Sequence, residues 1–398
     1  MDRRAAPAPL AKQASGILAA SARWNTLEVL FWVAALASIF LLKSKHLILT
    51  EIAILALFAL SLDLLLGYAG IVSLGHAAFF GFGAYVAGLL AKYGIVKEPV
   101  LALLVAGLGS MVLGFVTSFL VLRGSDLTRL MVTLGVALVL REIANRLAIT
   151  GGADGLQGIT IEPILGHFQF DIFGTTAYVY SLVVLFILFL VARRIVHSPF
   201  GLSLRSVRGN PLRAAAIGIH VNGRLVAIYT IAAGIAGIAG ALLTQSTQFA
   251  SLSVLDFERS ADVLLILIIG GTGYLYGGLV GAVLFKLVQD YLASVNPQYW
   301  QFWLGLALVM MILFGRVYGA AMAAVIFAIC KWTDLPFMHS MVLTVAVVAV
   351  LSLIRPRILV ITSAITAQAV ALQRDVKAQF ASLKAQVASL VGFHGPGS

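Results

Sequence analysis

Seven charged residues lie inside strongly apolar stretches of this chain: Glu51, Asp63, Arg141, Glu142, Asp262, Lys286 and Asp290. At a bilayer centre an unpaired charge costs about 2.5–3.5 kcal/mol on insertion scales, so each needs a partner or a function. Asp63, Asp262 or Glu142 could serve proton or sodium coupling if they faced a water-filled path. Lys286 and Asp290 have the i, i+4 spacing of a pair on one helix face. Arg141 and Glu142, near the middle of 130–149, make that segment a shielded or partly extramembrane helix. Asp63 stands just before the run that starts at Gly67 and can either contact that run or snorkel to the interface. Other chemistries lack their residues. There is no G-x-x-x-x-G-K-[ST] to cradle phosphates and no H-E-x-x-H. The histidines are scattered, which argues against a metal site. GGADGLQG at 151–158 has too few carboxylates for a calcium loop, and GGTGYLYGG at 270–278 opens no dinucleotide-binding unit. Neither covalent nor acid–base catalysis is supported, so the chain is expected to be neither an enzyme nor a cofactor carrier.

The elements that hold these charges are membrane segments. Hydrophobic residues make up 61% of the chain and charged residues 11%, against about 25% charged in soluble domains, and the mean hydropathy is +1.02. Apolar segments near 27–42, 47–66, 71–91, 99–122, 130–149, 177–192, 225–247, 261–291, 301–314, 319–331 and 340–354 suit crossings of ~20 residues. An all-α polytopic bundle of about ten segments is expected, since a lipid-facing backbone must satisfy its own hydrogen bonds. The net charge of +11 then reads as topology signal rather than nucleic-acid binding. Residues 193–224 carry six arginines and no acid, whereas 150–176 carry Asp154, Glu162 and Asp171 and no lysine or arginine. The first loop is expected inside and the second outside. Counting back puts the N-terminus inside, with residues 1–26 as a disordered cytoplasmic tail and a transmembrane domain over 27–317. Lys43 and Lys45 then fall outside, against the rule. The lone cysteine, Cys330, offers no disulfide framework.

Two glycine-rich interruptions punctuate the apolar pattern, LLLGYAGIVSLGHAAFFGFGAYV from residue 64 and LIIGGTGYLYGGLVGAVLF from residue 267. Paired breaks in two halves of a membrane protein signal an internal repeat with a substrate path at its interface. Asp63, Gly70, Ser73, His76, Gly271, Gly273, Tyr274 and Tyr276 are the candidate path-lining residues. The segment 261–291 is too long for one upright helix and either crosses twice, tilts or re-enters.

GYAGIVSLGHAAFFGFGAYV (67–86), TGGADGLQGI (150–159), SVRGNPLRAAAIGI (206–219) and GGTGYLYGGLVGA (270–282), in this order, resemble the permease subunits of branched-chain amino acid importers of the ATP-binding-cassette class, in particular the LivM-like half. The likeness runs from about residue 28 to 317. It implies an inner-membrane, multi-pass subunit with a second permease subunit as heterodimeric mate, two cytoplasmic ATP-binding subunits that hydrolyse ATP, and a periplasmic solute-binding protein. It also implies that a cytoplasmic loop docks in a cleft of the ATPase. The family's loop pattern falls on Arg208, Asn210, Ala214, Ala215 and Gly218, with Arg205 and Arg213 as further donors. The residue types suit docking, because Asn210 can cap a helix with Pro211 at its first position, followed by a small alanine surface. The loop departs from the broader importer pattern in having Arg213 and in placing its glycine one residue early. Gly151, Gly152, Asp154 and Gly155 form the external loop that would receive the binding protein. The resemblance implies branched-chain amino acids as cargo, with urea, amides and aromatic acids as relatives' alternatives; a stand-alone ion-coupled transporter is the competing class.

Past the matched region, 318–398 is an atypical extension with a possible hairpin and a heptad seam at Val376, Phe380, Leu383, Val387 and Leu390. The resemblance assigns it nothing.

Overall fold

The computed structural model describes residues 26–314 apart from Ser125, Leu165, Ile172 and Asn296. The expectations placed on 1–25, on Cys330 and on the extension 318–398 lie outside the described residues. The described chain divides into a unit ending at Tyr291 and a second beginning at Leu292.

The first unit is helical. Its elements are α1 (Thr26–Leu41), α2 (His46–Asp63), a π-helical turn (Leu64–Ala69), α3 (Ala77–Lys92), α4 (Pro99–Val121), α5 (Asp126–Arg146), α6 (Thr175–Val196), α7 (Pro199–Gly209), α8 (Pro211–Ala216), α9 (Val221–Thr247), α10 (Phe257–Gly270) and α11 (Leu275–Val295, which runs past the boundary). No strand forms among the described residues; Leu156 and Ala250 make an isolated antiparallel bridge. The second unit contributes α12 (Trp300–Phe314).

Four helical stretches, Lys43–Ala69, Pro99–Val121, Thr175–Val196 and Val221–Thr247, are long and apolar enough to cross a membrane. A fifth arises if Phe257–Gly270 and Leu275–Ser294, bent by 110°, count as one span. The expected ten are not confirmed: 319–331 and 340–354 lie outside the described residues, and among the described residues several segments give shorter or more charged helices. The run 71–91 forms a helix only from Ala77, because residues 70–76 are taken up by the first glycine break. The first apolar segment gives the 16-residue α1. The 130–149 segment gives α5, which holds Arg129, Arg141, Glu142 and Arg146. The bend excludes one long tilted helix over 261–291.

Helix α9 is the centre of the first unit and packs on α4, α3 and α2. Its sequence AAGIAGIAGALL explains why: small residues on successive turns let backbones approach closely, which is what drives helix association where lipid removes the hydrophobic incentive. A Cβ at Gly83 of α3 would overlap the Gly237 backbone of α9, so the two helices cross in backbone contact.

Two ends of the unit are distinguishable. At one, Arg193 Nη1 donates to Glu28 at 2.6 Å, at the end of α6 that leads into α7. At the other, His46 Nδ1 meets Thr175 Oγ1 at 3.0 Å and Gln245 Nε2 donates to the Pro99 carbonyl at 2.8 Å. The arginine-rich loop and the acidic loop 150–176 therefore sit at opposite ends of α6.

Candidate functional site

The two glycine breaks meet. Helix α2 loosens after Asp63 into the π-helical turn, which ends at Gly70 with φ 75°. That left-handed turn suits a residue without a Cβ. Across from it, α10 stops at Gly270, and Gly271 and Gly273 take φ 103° and 81° before α11 sets off in a new direction. Asp63 Oδ1 accepts a hydrogen bond from the Gly273 N–H at 2.7 Å. Asp63 is fully buried, and its Oδ2 has no hydrogen-bond partner among the described residues. Of the two options open in the sequence, Asp63 takes the contact with a break rather than the interface, and the contact is with the second break.

The arginine-rich loop enters the same place. Arg208 Nη1, on α7, donates to the Gly67 carbonyl inside the π-helical turn. That carbonyl is available because the helix ends before a residue can claim it. Arg205 holds its guanidinium carbon 5.3 Å from the centroid of the Tyr68 ring, in cation–π range. A Cβ at Gly273 would sit 3.1 Å from Arg208 Nη1 and 3.2 Å from the Gly67 oxygen. Asp63, Gly70, Gly273, Arg205 and Arg208 thus form one node, although sequence reasoning divided them between a path and a docking loop. The charged spacing gave no sign of it, since residues 63, 208 and 273 are joined by chain topology alone.

Ser73 and His76 are buried as well. Ser61 donates to the Phe58 carbonyl at 2.6 Å, so it accepts from His76 Nε2 at 2.8 Å. The imidazole stacks on Phe58, with ring centroids 5.5 Å apart and planes 8° from parallel, and meets Phe79 edge-on. Leu74 N–H donates to Thr133 Oγ1 at 3.3 Å and Ala77 N–H to Ser260 Oγ at 2.9 Å, so α5 and α10 bracket this stretch. His76 is a packed interior side chain. Truncation in His76→Ala removes a stacked ring from a closed site and should destabilise the protein by about 3 kcal/mol, read as a lowered midpoint in thermal unfolding in detergent.

Tyr274 is 74% exposed, and Tyr276 turns away from the node. Its hydroxyl accepts from Trp32 Nε1 at 3.2 Å and its ring packs on Phe31 and Phe189. Tyr276 therefore ties α11 to α1 and α6. Lys286 forms its ion pair with Glu51 of α2 instead of with Asp290, because the inward face of α11 offers it that carboxylate while Asp290 is exposed. Arg141 likewise reaches Asp256 in the α9–α10 connection, and Glu142 pairs with Arg146 at 2.6 Å.

The loop beyond α6 is built by two caps. Ser198 Oγ accepts from Gly201 N–H at 3.4 Å with Pro199 at the first helical position of α7. Asn210 Oδ1 accepts from Arg213 N–H at 3.0 Å with Pro211 opening α8, as the Asn-Pro pair indicated. Gly218, φ 89°, closes α8 in a left-handed turn. Ala214 packs inward, whereas Ala215 and Arg213 face out. Beside them Leu212 and Ile217 are 81% and 74% exposed. Sequence reasoning missed these two. Their signal was large apolar side chains within an arginine-rich loop.

At the opposite end Gly151, Gly152 and Gly155 take φ of 82°, 56° and 75° around a short 3-10 turn that ends at exposed Asp154. Leu156 N–H then donates to the Ala250 carbonyl at 2.7 Å and anchors this loop to the α9–α10 connection. Burial pushes the Asp171 carboxyl up, but hydrogen bonds from Thr176 and Thr175 prevail and hold it below the usual carboxylate range.

Residues 46–315 match the family described as branched-chain amino acid transport system / permease component. The chain belongs to that family. It is 28% identical over 288 residues to the high-affinity branched-chain amino acid transport system permease protein LivM of Salmonella typhimurium, covering 66% of this chain and 67% of the relative. With LivM of Escherichia coli it shares 27% over 281 residues, 65% of each chain. With the probable branched-chain amino acid transport permease protein LivH of Methanocaldococcus jannaschii it shares 26% over 259 residues, 61% of this chain and 79% of that one. The matches to the two LivM relatives span about two thirds of their length. No solved structure matches the chain. Membership makes this permease a transport component rather than an enzyme, and a multi-pass membrane protein.

Proposed function

We propose that this chain is one permease subunit of an ATP-driven importer that passes a small polar solute, branched-chain amino acids first among them, from a periplasmic binding protein to the cytoplasm. The observation that carries this is the node itself: the arginine-rich loop reaches the point where the two glycine breaks touch. The loop 193–224 faces the cytoplasm, where its α8 surface engages a separate ATPase, and the loop 150–176 faces outside and receives the binding protein. A second permease subunit supplies the other wall of the path, and the two breaks shape this subunit's wall. The excess of arginine at one end and of carboxylates at the other supports that orientation.

Liposome uptake of radiolabelled leucine tests the proposal. The purified chain alone is expected to move none, with or without an ion gradient. The chain assembled with a second permease, an ATPase pair and a binding protein is expected to take up leucine only with ATP. Uptake by the isolated chain driven by a proton or sodium gradient would overturn it in favour of ion coupling through Asp63 or Asp262.

A further inference from the structure

We infer that Arg208 is a positioning residue that latches the two glycine breaks together and moves between two acceptors, the Gly67 carbonyl and Asp63 Oδ2. In the described arrangement its guanidinium donates to Gly67 O. The neighbouring carboxylate holds the other break through Oδ1 and Gly273 N–H at 2.7 Å. Asp63 Oδ2 is buried and unclaimed among the described residues. Both groups flank Gly273: a Cβ there would lie 3.1 Å from Arg208 Nη1, and its N–H is the donor to Asp63 Oδ1. A buried carboxylate oxygen left without a donor, beside a guanidinium that gives Nη1 to a neutral carbonyl and has further N–H groups, is an arrangement with a second low-energy state. Charge-assisted hydrogen bonds are the stronger kind, so Oδ2 competes with Gly67 O as soon as α7 shifts.

The backbone provides the travel. Arg208 is the penultimate residue of α7, and α8 starts after the single residue Asn210. A push on α8 therefore arrives at Arg208 within a few residues. The π-helical turn that holds Gly67 and the left-handed turns at Gly70 and Gly273 are non-standard helix geometry and yield more readily than α2 or α11. Exchange of acceptors would release Gly67 while tightening Arg208 on Asp63, and through Oδ1 on Gly273, so both breaks change together. This rests on the docking role proposed for α8, because that role supplies the push.

Hydrogen exchange by mass spectrometry on the full chain, alone and in the assembled importer, separates the possibilities without needing the solute. Arg208→Gln is expected to speed exchange about tenfold in peptides covering 65–71 and 271–275, the effect of losing one charged hydrogen bond, and to leave 77–92 unchanged. Arg208→Lys keeps the charge and should restore most of the protection. Asp63→Asn keeps an acceptor for Gly273 N–H, so the resting pattern should persist. It should, however, abolish the change in both break peptides that a non-hydrolysable ATP analogue produces in the wild-type assembly. Unaltered exchange at both breaks in Arg208→Gln overturns the latch, as does a response to the analogue that survives Asp63→Asn. If Arg208→Gln instead releases the ATPase while the breaks stay protected, Arg208 is a docking residue and the latch is wrong. Should Ala215→Arg leave ATPase copurification intact, the docking role fails, while the exchange result on the isolated chain still decides the latch.

Discussion

Gly67→Ala is expected to abolish leucine uptake by the assembled importer while the chain still inserts. A methyl group there would overlap Asp63 Oδ1 and lie 2.5 Å from the Gly273 backbone nitrogen. The carboxylate can rotate, but the Gly273 amide belongs to a chain reversal and cannot retreat without moving α11. Overpacking of this kind costs about 1–3 kcal/mol, and loss of a hydrogen bond to a charged group adds about 1.5–3. Part of that relaxes, and about 3 kcal/mol of bias against the closed node remains, enough to shift a two-state population roughly 100-fold. The thermal midpoint should fall by about 10 °C, on the scale that links free energy to midpoint for a domain of this size. Gly135→Ala is the matched control, since a Cβ at Gly135 meets nothing within 4 Å and alanine favours the helix. Uptake that survives Gly67→Ala would mean that the breaks need not touch during transport.

Much of this node was legible, but in pieces. Glycine clusters at 67–75 and 270–278 mark candidate broken helices because glycine alone takes left-handed turns without a Cβ penalty. The Asn210-Pro211 cap could be read because capping is local, a matter of a side chain and an amide three residues on. What could not be read is long-range. The residue pairs Asp63–Gly273 and Arg208–Gly67 are separated by 210 and 141 residues, and no periodicity reports such contacts. Lys286 shows the same limit: spacing favours Asp290, yet Glu51 is presented by a neighbouring helix. The enclosure of His76 could not be read either. A histidine beside a glycine break looks functional, but Phe58, Ser61 and Phe79 close around it as core. The number of crossings also resists a hydropathy count, since 71–91 has the composition of a span but spends its first residues on the break.

Ala215→Arg carries the second large effect, this time on association. Leu212 and Ala215 of α8 and Ile217 at its C-cap present apolar and small surface in a loop rich in arginine. Leu212 and Ile217, exposed on one short arginine-bearing segment, offer a partner an apolar spot to cover. An arginine at 215 puts a long charged side chain into the centre of that surface, where a well-packed contact loses about 2 kcal/mol or more, about 30-fold in affinity. Stability should move by no more than about 0.5 kcal/mol, because the position is exposed. The ATPase should therefore be lost on copurification while the thermal midpoint holds. Leu212→Ala and Ile217→Ala should each weaken the complex in the same direction. Gly218→Trp is a poorer probe, since φ 89° strains any side chain there and confounds docking with loop folding. An ATPase that remains bound to Ala215→Arg with wild-type hydrolysis would place the contact elsewhere on the loop, on α7, where Leu202 is the exposed apolar residue.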